Sequence, residues 1–261
     1  MTTSRLLLEI KGSIATVTVN RPEARNAMTW AMYDALFDAC ERVDAEDAVR
    51  VFVLKGAGGQ AFVSGTDIGE FTTFESRQDG ISYEQRLDRV IDRLERVTKP
   101  TVAQVEGVAA GGGCLMALAC DLRVCTRQAR FGVPIARTLG NCLSAASTAR
   151  LVDLIGPART KDLLITGRLI DAAEAMSLGL VTRIAEPSEI EASVHELVTT
   201  IASHAPLTIR AAKEMVRRTQ VERRLNAAEA EDLIALCYSS ADFKEGVAAF
   251  LAKRQPRFMG R

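Results

Sequence analysis

Two short glycine-bearing turns constrain this chain more than any other feature. Phe62-Val63-Ser64-Gly65-Thr66-Asp67 and Ala110-Gly111-Gly112-Gly113 each follow a strand-like run, and each opens a helix. The first N–H groups of a helix have no partner inside it, and the helix dipole leaves positive character there. Glycine lets a ligand or a second backbone come close. Two such turns can aim two N–H groups at one oxygen, where a single donor is typically worth about 10²–10³ in rate. Tight packing alone would also call for these glycines, so the turns by themselves leave both readings open. No Gly-Lys-Ser/Thr follows either turn, and Gly111-Gly112-Gly113 lacks the G-x-G-x-x-G spacing. P-loop and dinucleotide-binding sites are therefore poor readings.

The pattern on either side is α/β. Leu6–Ile10 and Ile14–Val19 read as strands about a Lys11-Gly12-Ser13 turn, and a helix starts near Thr29 with Trp30, Tyr33, Phe37 and Cys40 on one stripe. Val51–Leu54, Thr101–Val105, Leu122–Cys125 and Ala129–Gly132 are further strands. Residues 72–82 lack periodicity and read as a mobile loop. From Tyr83 the stripe Tyr83, Leu87, Val90, Ile91, Leu94 is helical until Lys99-Pro100. After about Ala146 the chain is helical except near Ile184, with helices over 190–203, 206–219, 222–238 and 242–254. The expectation is an α/β core over 1–190 and a helical region over 191–261.

Composition narrows the function classes. Lys plus Arg and Asp plus Glu are 33 each, so no net field draws the chain to nucleic acid or an anionic membrane. One local basic stretch, Lys253-Arg254-Gln255-Pro256-Arg257, could meet a phosphate. The six cysteines form no C-x-x-C pair, and with only two histidines a zinc site is not expected. Glu9 interrupts the apolar run after Arg5, against a signal peptide, and no run reaches the about 20 apolar residues of a spanning helix. A cytoplasmic location is the expectation.

The ordered motifs carry a resemblance. Asn20-Arg21-Pro22-Glu23-Ala24-Arg25-Asn26-Ala27-Met28, Ala61 to Ile68, Val105 to Cys114, Phe131-Gly132-Val133-Pro134 and Asp242 to Arg254 resemble, in order, segments of the crotonase (enoyl-CoA hydratase/isomerase) family. The resemblance implies ββα units stacked into a spiral, with C-terminal helices that assemble a homotrimer or homohexamer. It implies an acyl-CoA substrate and no cofactor beyond its CoA moiety. The thioester oxygen would be held by N–H groups at Ser64 and Gly112. CoA contacts would come from Arg25, Ala27, Phe62, Gly65, Thr66, Asp67, Ile68, Gly111, Pro134 and Ile135. Phe250 and Lys253 would reach in from a neighbouring subunit.

The chain departs from that pattern where acid–base chemistry is done. The family's hydratases place one glutamate where this chain has Leu115 and another where it has Ile135. A positioned acid or base contributes about 10²–10⁴ in rate, so simple hydration is expected to be weak. Asp67 and Glu70 read as helix-cap residues, Glu106, Asp121 and Glu245 as structural, and Glu75, Asp79 and Glu84 as solvated charges. Arg137, Asn141, Cys142 and Ser144 lie in an altered segment after Ile135, and Cys142 has no base near it in sequence. An enzyme is the favoured reading: hydratase, isomerase or lyase. The alternatives are an acyl-CoA-binding homologue without turnover and a C–C hydrolase of the same fold.

Overall fold

The computed structural model describes residues 5–71, 77–221, 241–242, 245, 252, 254, 257 and 259–261. Strands β1 (Leu6–Lys11) and β2 (Ile14–Val19) form an antiparallel hairpin that pairs Leu8 with Val17. A 3-10 turn over Pro22–Ala24 leads into α1 (Trp30–Ala45), whose Met32, Tyr33, Leu36, Ala39, Cys40 and Val43 are buried at the predicted spacing. Three strand–strand–helix units follow. They are β3 (Val51–Gly56), β4 (Ala61–Val63) and α2 (Arg77–Glu95); β5 (Thr101–Val105), β6 (Val108–Ala110) and α3 (Gly112–Ala119); and β7 (Leu122–Thr126), β8 (Arg130–Gly132) and α4 (Ile135–Thr138).

Each unit sends its first strand to one sheet and its second to another. The larger sheet runs β1-β2-β3-β5-β7-β10 and the smaller β4-β6-β8-β9, where β9 is Ile170–Asp171 and β10 is Arg183–Ala185. From β2 through β7 to β10 the larger sheet is parallel, as the intervening helices require. The expected ββα spiral is therefore present.

Helix α2 begins at Arg77, nearly two turns before the expected Tyr83. Its early residues carry no apolar stripe, and Ile81 there is 43% exposed, so periodicity had nothing to register. Helix α5 (Ala145–Thr166) kinks at Gly156-Pro157, and α6 (Ala172–Ser177) is capped by the Asp171 side chain, which accepts from the Glu174 N–H. Helix α7 (Ile190–Ser203) lays Ile190, Val194, Leu197 and Val198 on Val51, Val53, Val102 and Val124 of the larger sheet. The first helix of the 191–261 region thus covers the core sheet. Helix α8 (Pro206–Val221) is tied down by Lys213, whose Nζ lies 2.7 Å from Asp121 Oδ2. That oxygen also takes the Thr101 N–H at 2.7 Å and its hydroxyl at 2.9 Å, confirming Asp121 as structural. The helices expected over 222–238 and 242–254 fall largely outside the described residues.

All eight residues of α3 are buried. Its C-terminal end is closed by Arg123, only 5% exposed, whose guanidinium donates to the carbonyls of Ala117, Cys120, Asp121 and Leu180. Among the described residues no helix is long and apolar enough to cross a membrane.

Candidate functional site

Parallel pairing of β4 with β6 sets Val63 beside Ala109. The two glycine-bearing turns therefore leave the sheet side by side, at the carboxyl ends of adjacent strands, where open α/β sheets bind ligands. Asn26 holds the first turn from beneath. It is fully buried; its Nδ2 donates to Ala57 O at 2.9 Å and Ala61 O at 2.7 Å, and its Oδ1 accepts the Arg21 N–H at 2.9 Å. These bonds fix an uncommon backbone, because Arg25 (φ 51°) and Asn26 (φ 57°) are both left-handed.

That backbone corrects one assignment. Ser64 was expected to offer its N–H to a ligand, but this N–H donates to Arg25 O at 3.1 Å, since the left-handed turn brings that carbonyl under the end of β4. The donor that faces outward is two residues on. Thr66 forms a parallel bridge with Met28: Met28 N–H donates to Gly65 O and Asp67 N–H to Met28 O, both bonds flanking Thr66. In such a bridge the central residue's own N–H points away from its partner strand. The Thr66 N–H bonds to no other described residue.

The second turn packs against the first. Gly111 adopts φ 52°, and a Cβ built there would stand 3.8 Å from Gly65 Cα. A Cβ on Gly113 would overlap the Val63 carbonyl, which rules out any side chain at that position. A Cβ on Gly112 would stand 2.6 Å from the Tyr33 hydroxyl and 3.6 Å from Thr66 Oγ1. Gly112 is the first residue of α3, and its N–H likewise bonds to no other described residue. Two unengaged donors, at Thr66 and Gly112, thus lie on adjoining turns.

A chain of hydroxyls ties the first turn to α1 and α2. The Tyr33 hydroxyl is 2.9 Å from Thr66 Oγ1, and Thr66 Oγ1 is 2.8 Å from the Tyr83 hydroxyl. Burial raises both phenols, Tyr83 to about 12 and Tyr33 further, so both stay protonated as hydrogen-bond partners. Trp30 packs on both rings, with centroids 5.4 Å from Tyr33 and 5.5 Å from Tyr83, and Phe71 stacks on Tyr83 at 4.9 Å. Sequence reasoning placed Tyr33 and Tyr83 on apolar stripes and missed their hydroxyls. Nothing local signals that residues 33, 66 and 83 meet.

The carboxylates sort clearly. Asp67 pairs with Arg21 and accepts the Gly69 N–H at 2.8 Å; the Arg21 hydrogen bond holds its carboxyl below the usual range. Glu70 accepts the Trp30 N–H at 3.2 Å, so it caps α1 and not its own helical turn. Glu106 takes a bond from Gln104, and Glu245 pairs with Arg254, which engages part of the expected basic stretch. Glu84, expected to be a solvated charge, is half-buried and accepts the Ser144 N–H at 3.0 Å. Burial pushes its carboxyl above the usual value, helped by Asp88 and opposed by the Ser144 bond.

Among the remaining expected residues, Arg25 and Ile68 are exposed beside the first turn, and Ala27 is half-buried, its carbonyl bonded to Arg21. Phe62, expected among the CoA contacts, is 0% exposed and belongs to the hydrophobic core, which leaves it no surface to offer a ligand. Leu115 is fully buried in α3; Pro134 caps α4, and Ile135 is half-buried at its first position. Cys142 and Arg137 are exposed, while burial pushes the Cys114 and Cys120 thiols up to about 12. Glu75, Phe250 and Lys253 lie outside the described residues. A separate cavity of about 770 Å³, lined by Cys120, Arg123, Arg150 and Lys213 among others, opens at the far end of α3 from Gly112.

Comparison with known proteins identifies the family. A family model for enoyl-CoA hydratase/isomerase matches residues 9–261. The chain is 35% identical over 259 residues to a short-chain-enoyl-CoA hydratase of Clostridium acetobutylicum, covering 98% of this chain and 97% of the relative. It is 32% identical over 260 residues to a 2,3-dehydroadipyl-CoA hydratase of Escherichia coli, covering 99% and 100%. A solved enoyl-CoA hydratase/carnithine racemase from Magnetospirillum magneticum superposes with a TM-score of 0.93 at 32% identity, covering 100% of this chain and 97% of that one.

Proposed function

The chain belongs to the enoyl-CoA hydratase/isomerase family, and from that premise we propose that it holds an acyl-CoA thioester oxygen between the N–H groups of Thr66 and Gly112. The observation that carries this reading is the pair of unengaged donors on adjoining turns. Two fixed donors at that oxygen favour its conversion to an enolate, because the charge develops where the dipoles already point. The exposed Arg25 and Ile68, with the first-turn backbone, would meet the CoA moiety, and a homotrimer or homohexamer is the proposed assembly.

Reaction type follows from the side chains around the donors. Leu115 and Ile135 cannot move a proton, so the two-glutamate route to hydration is closed. Isomerisation, a lyase reaction, or hydration through another base are the routes left to a thioester enolate. The apolar Leu115 and Ile135 also favour a second reading, an acyl-CoA-binding protein without turnover.

Crotonyl-CoA, followed by loss of its conjugated enoyl absorbance, tests hydration, and a panel of unsaturated acyl-CoAs tests isomerisation and cleavage. Calorimetry with free CoA reports the site itself. Turnover that disappears in Gly112→Val supports the enolate reading. Binding with no turnover on any ester supports the second reading, and failure of every CoA ester to bind defeats both.

A further inference from the structure

Once Leu115 and Ile135 are set aside, the site needs a group that can carry a proton. Helix α2 brings one. Tyr83 reaches Thr66 Oγ1 at 2.8 Å, and the next residue, Glu84, turns its carboxylate to the segment that follows α4. One oxygen, Oε2, is fixed by the Ser144 N–H at 3.0 Å. The other, Oε1, bonds to no other described residue. Asp88, one turn later, is differently placed: its Oδ1 takes the Ser144 hydroxyl at 2.7 Å and the Ser147 hydroxyl at 3.2 Å, anchoring the start of α5.

We infer that Glu84 is the acid–base catalytic residue of this site, held by Ser144 through one oxygen and presenting the other to the acyl chain. This rests on the reading that the thioester oxygen lies between Thr66 and Gly112. The neighbouring Tyr83 hydroxyl lies 2.8 Å from Thr66 Oγ1, so this turn of α2 stands beside the residue that carries the first donor. Burial also lifts its proton affinity towards the range useful to a general base at neutral pH. The groups that bear on its titration are the Ser144 N–H from the start of α5 and Asp88 on its own helix, and the protonated Tyr83 beside it carries no charge.

The step balances without any further reagent. Oε1 takes a proton from the carbon next to the thioester. The C–H electron pair forms the Cα=C1 double bond, and the carbonyl pair moves onto the oxygen between the two N–H groups. Neutral Glu84 then returns the proton to Cα or, in a dienolate, to Cγ, which shifts the double bond.

Deuterium uptake at Cα of butyryl-CoA in heavy water, read by mass spectrometry, reports this step and needs no net reaction. The wild-type protein is expected to exchange. Glu84→Gln is expected to slow exchange by about 10²–10⁴-fold with an unchanged butyryl-CoA dissociation constant, and Glu84→Asp to keep part of the rate. The wild-type rate should rise with pH through one ionisation above the ordinary carboxylate value, and the Gln variant should lack that rise. Exchange at the wild-type rate in Glu84→Gln, with loss in Gly112→Val, overturns the role of Glu84 and leaves the donor pair standing. Joint loss of binding and exchange in Glu84→Gln overturns it as well, since the role would then be structural. Absence of exchange in a wild-type protein that still binds butyryl-CoA overturns Glu84 as a base and leaves the donor pair as a binding site, whereas absence of butyryl-CoA binding overturns the donor reading as well.

Discussion

The paired turns and the segment from Ile135 to Ser144, which meets α2 through Ser144, are built on opposite terms. The turns use backbone, and packing fixes them from every side: Gly113 against Val63, Gly56 against Phe62 O, Asn26 across Ala57 and Ala61. The second segment uses side chains and is largely exposed, and a Cβ at Gly140 would meet nothing within 4 Å. Groups supplied by the backbone cannot be exchanged without rebuilding the fold. Groups supplied by side chains can be replaced one at a time.

Substitutions across the two regions test this contrast directly. Gly113→Ala forces a methyl into the Val63 carbonyl and should cost about 3 kcal/mol or leave the protein unfolded, as urea titration would report. A cost below about 1 kcal/mol would mean that β4 and α3 can part, and the contrast would fail. Gly112→Ala sets a methyl 2.6 Å from the Tyr33 hydroxyl and should lower turnover by about 10²-fold. Adding Tyr33→Phe removes the obstructing oxygen, so the double variant should regain part of that loss in steady-state assays. Gly140→Ala meets open space and carries only the left-handed penalty at φ 73°, about 1 kcal/mol by the same urea titration.

The smallest effect concerns Glu84, and its sign is definite. The folded carboxyl has a higher proton affinity than the unfolded one, whose ordinary value is 4.5. Between 4.5 and the folded value the native state binds more protons, so this group's contribution to stability falls as pH rises through that window. Glu84→Gln should therefore flatten the decline and melt slightly higher at pH 7. A lower melting temperature would show that the Ser144 bond outweighs the burial cost.

Much of the fold was legible because each helix with a buried stripe, and each β-branched strand, announces its period. The glycine turns were legible too, since their order and spacing are specific. The identity of the first donor was not. Which N–H faces outward depends on the left-handed Arg25–Asn26 pair, and only the folded chain shows that Ser64 is bound to Arg25 O. Tyr33, Thr66 and Tyr83 come from three elements far apart in sequence, and a tyrosine on an apolar stripe reads as core. Glu84 escaped for a related reason: it follows Tyr83 but lies off the apolar stripe, and nothing in the sequence showed that Ser144 meets it. Phe62 erred the other way, because a motif position says nothing about burial, and β4 is buried along its whole length.

Arg123 gives α3 an electrical asymmetry. Its guanidinium is buried among carbonyl dipoles at one end of a helix of eight residues that contains no acidic side chain. At 1.5 Å per residue its charge lies about 12 Å from Gly112, a distance at which a unit charge is still worth about 1 kcal/mol in a protein interior. The helix dipole and the cation have the same sign of potential at the N-terminal end. Negative charge gathering at the Gly112 N–H would thus be drawn by the whole length of the helix and by a permanent charge stored behind it.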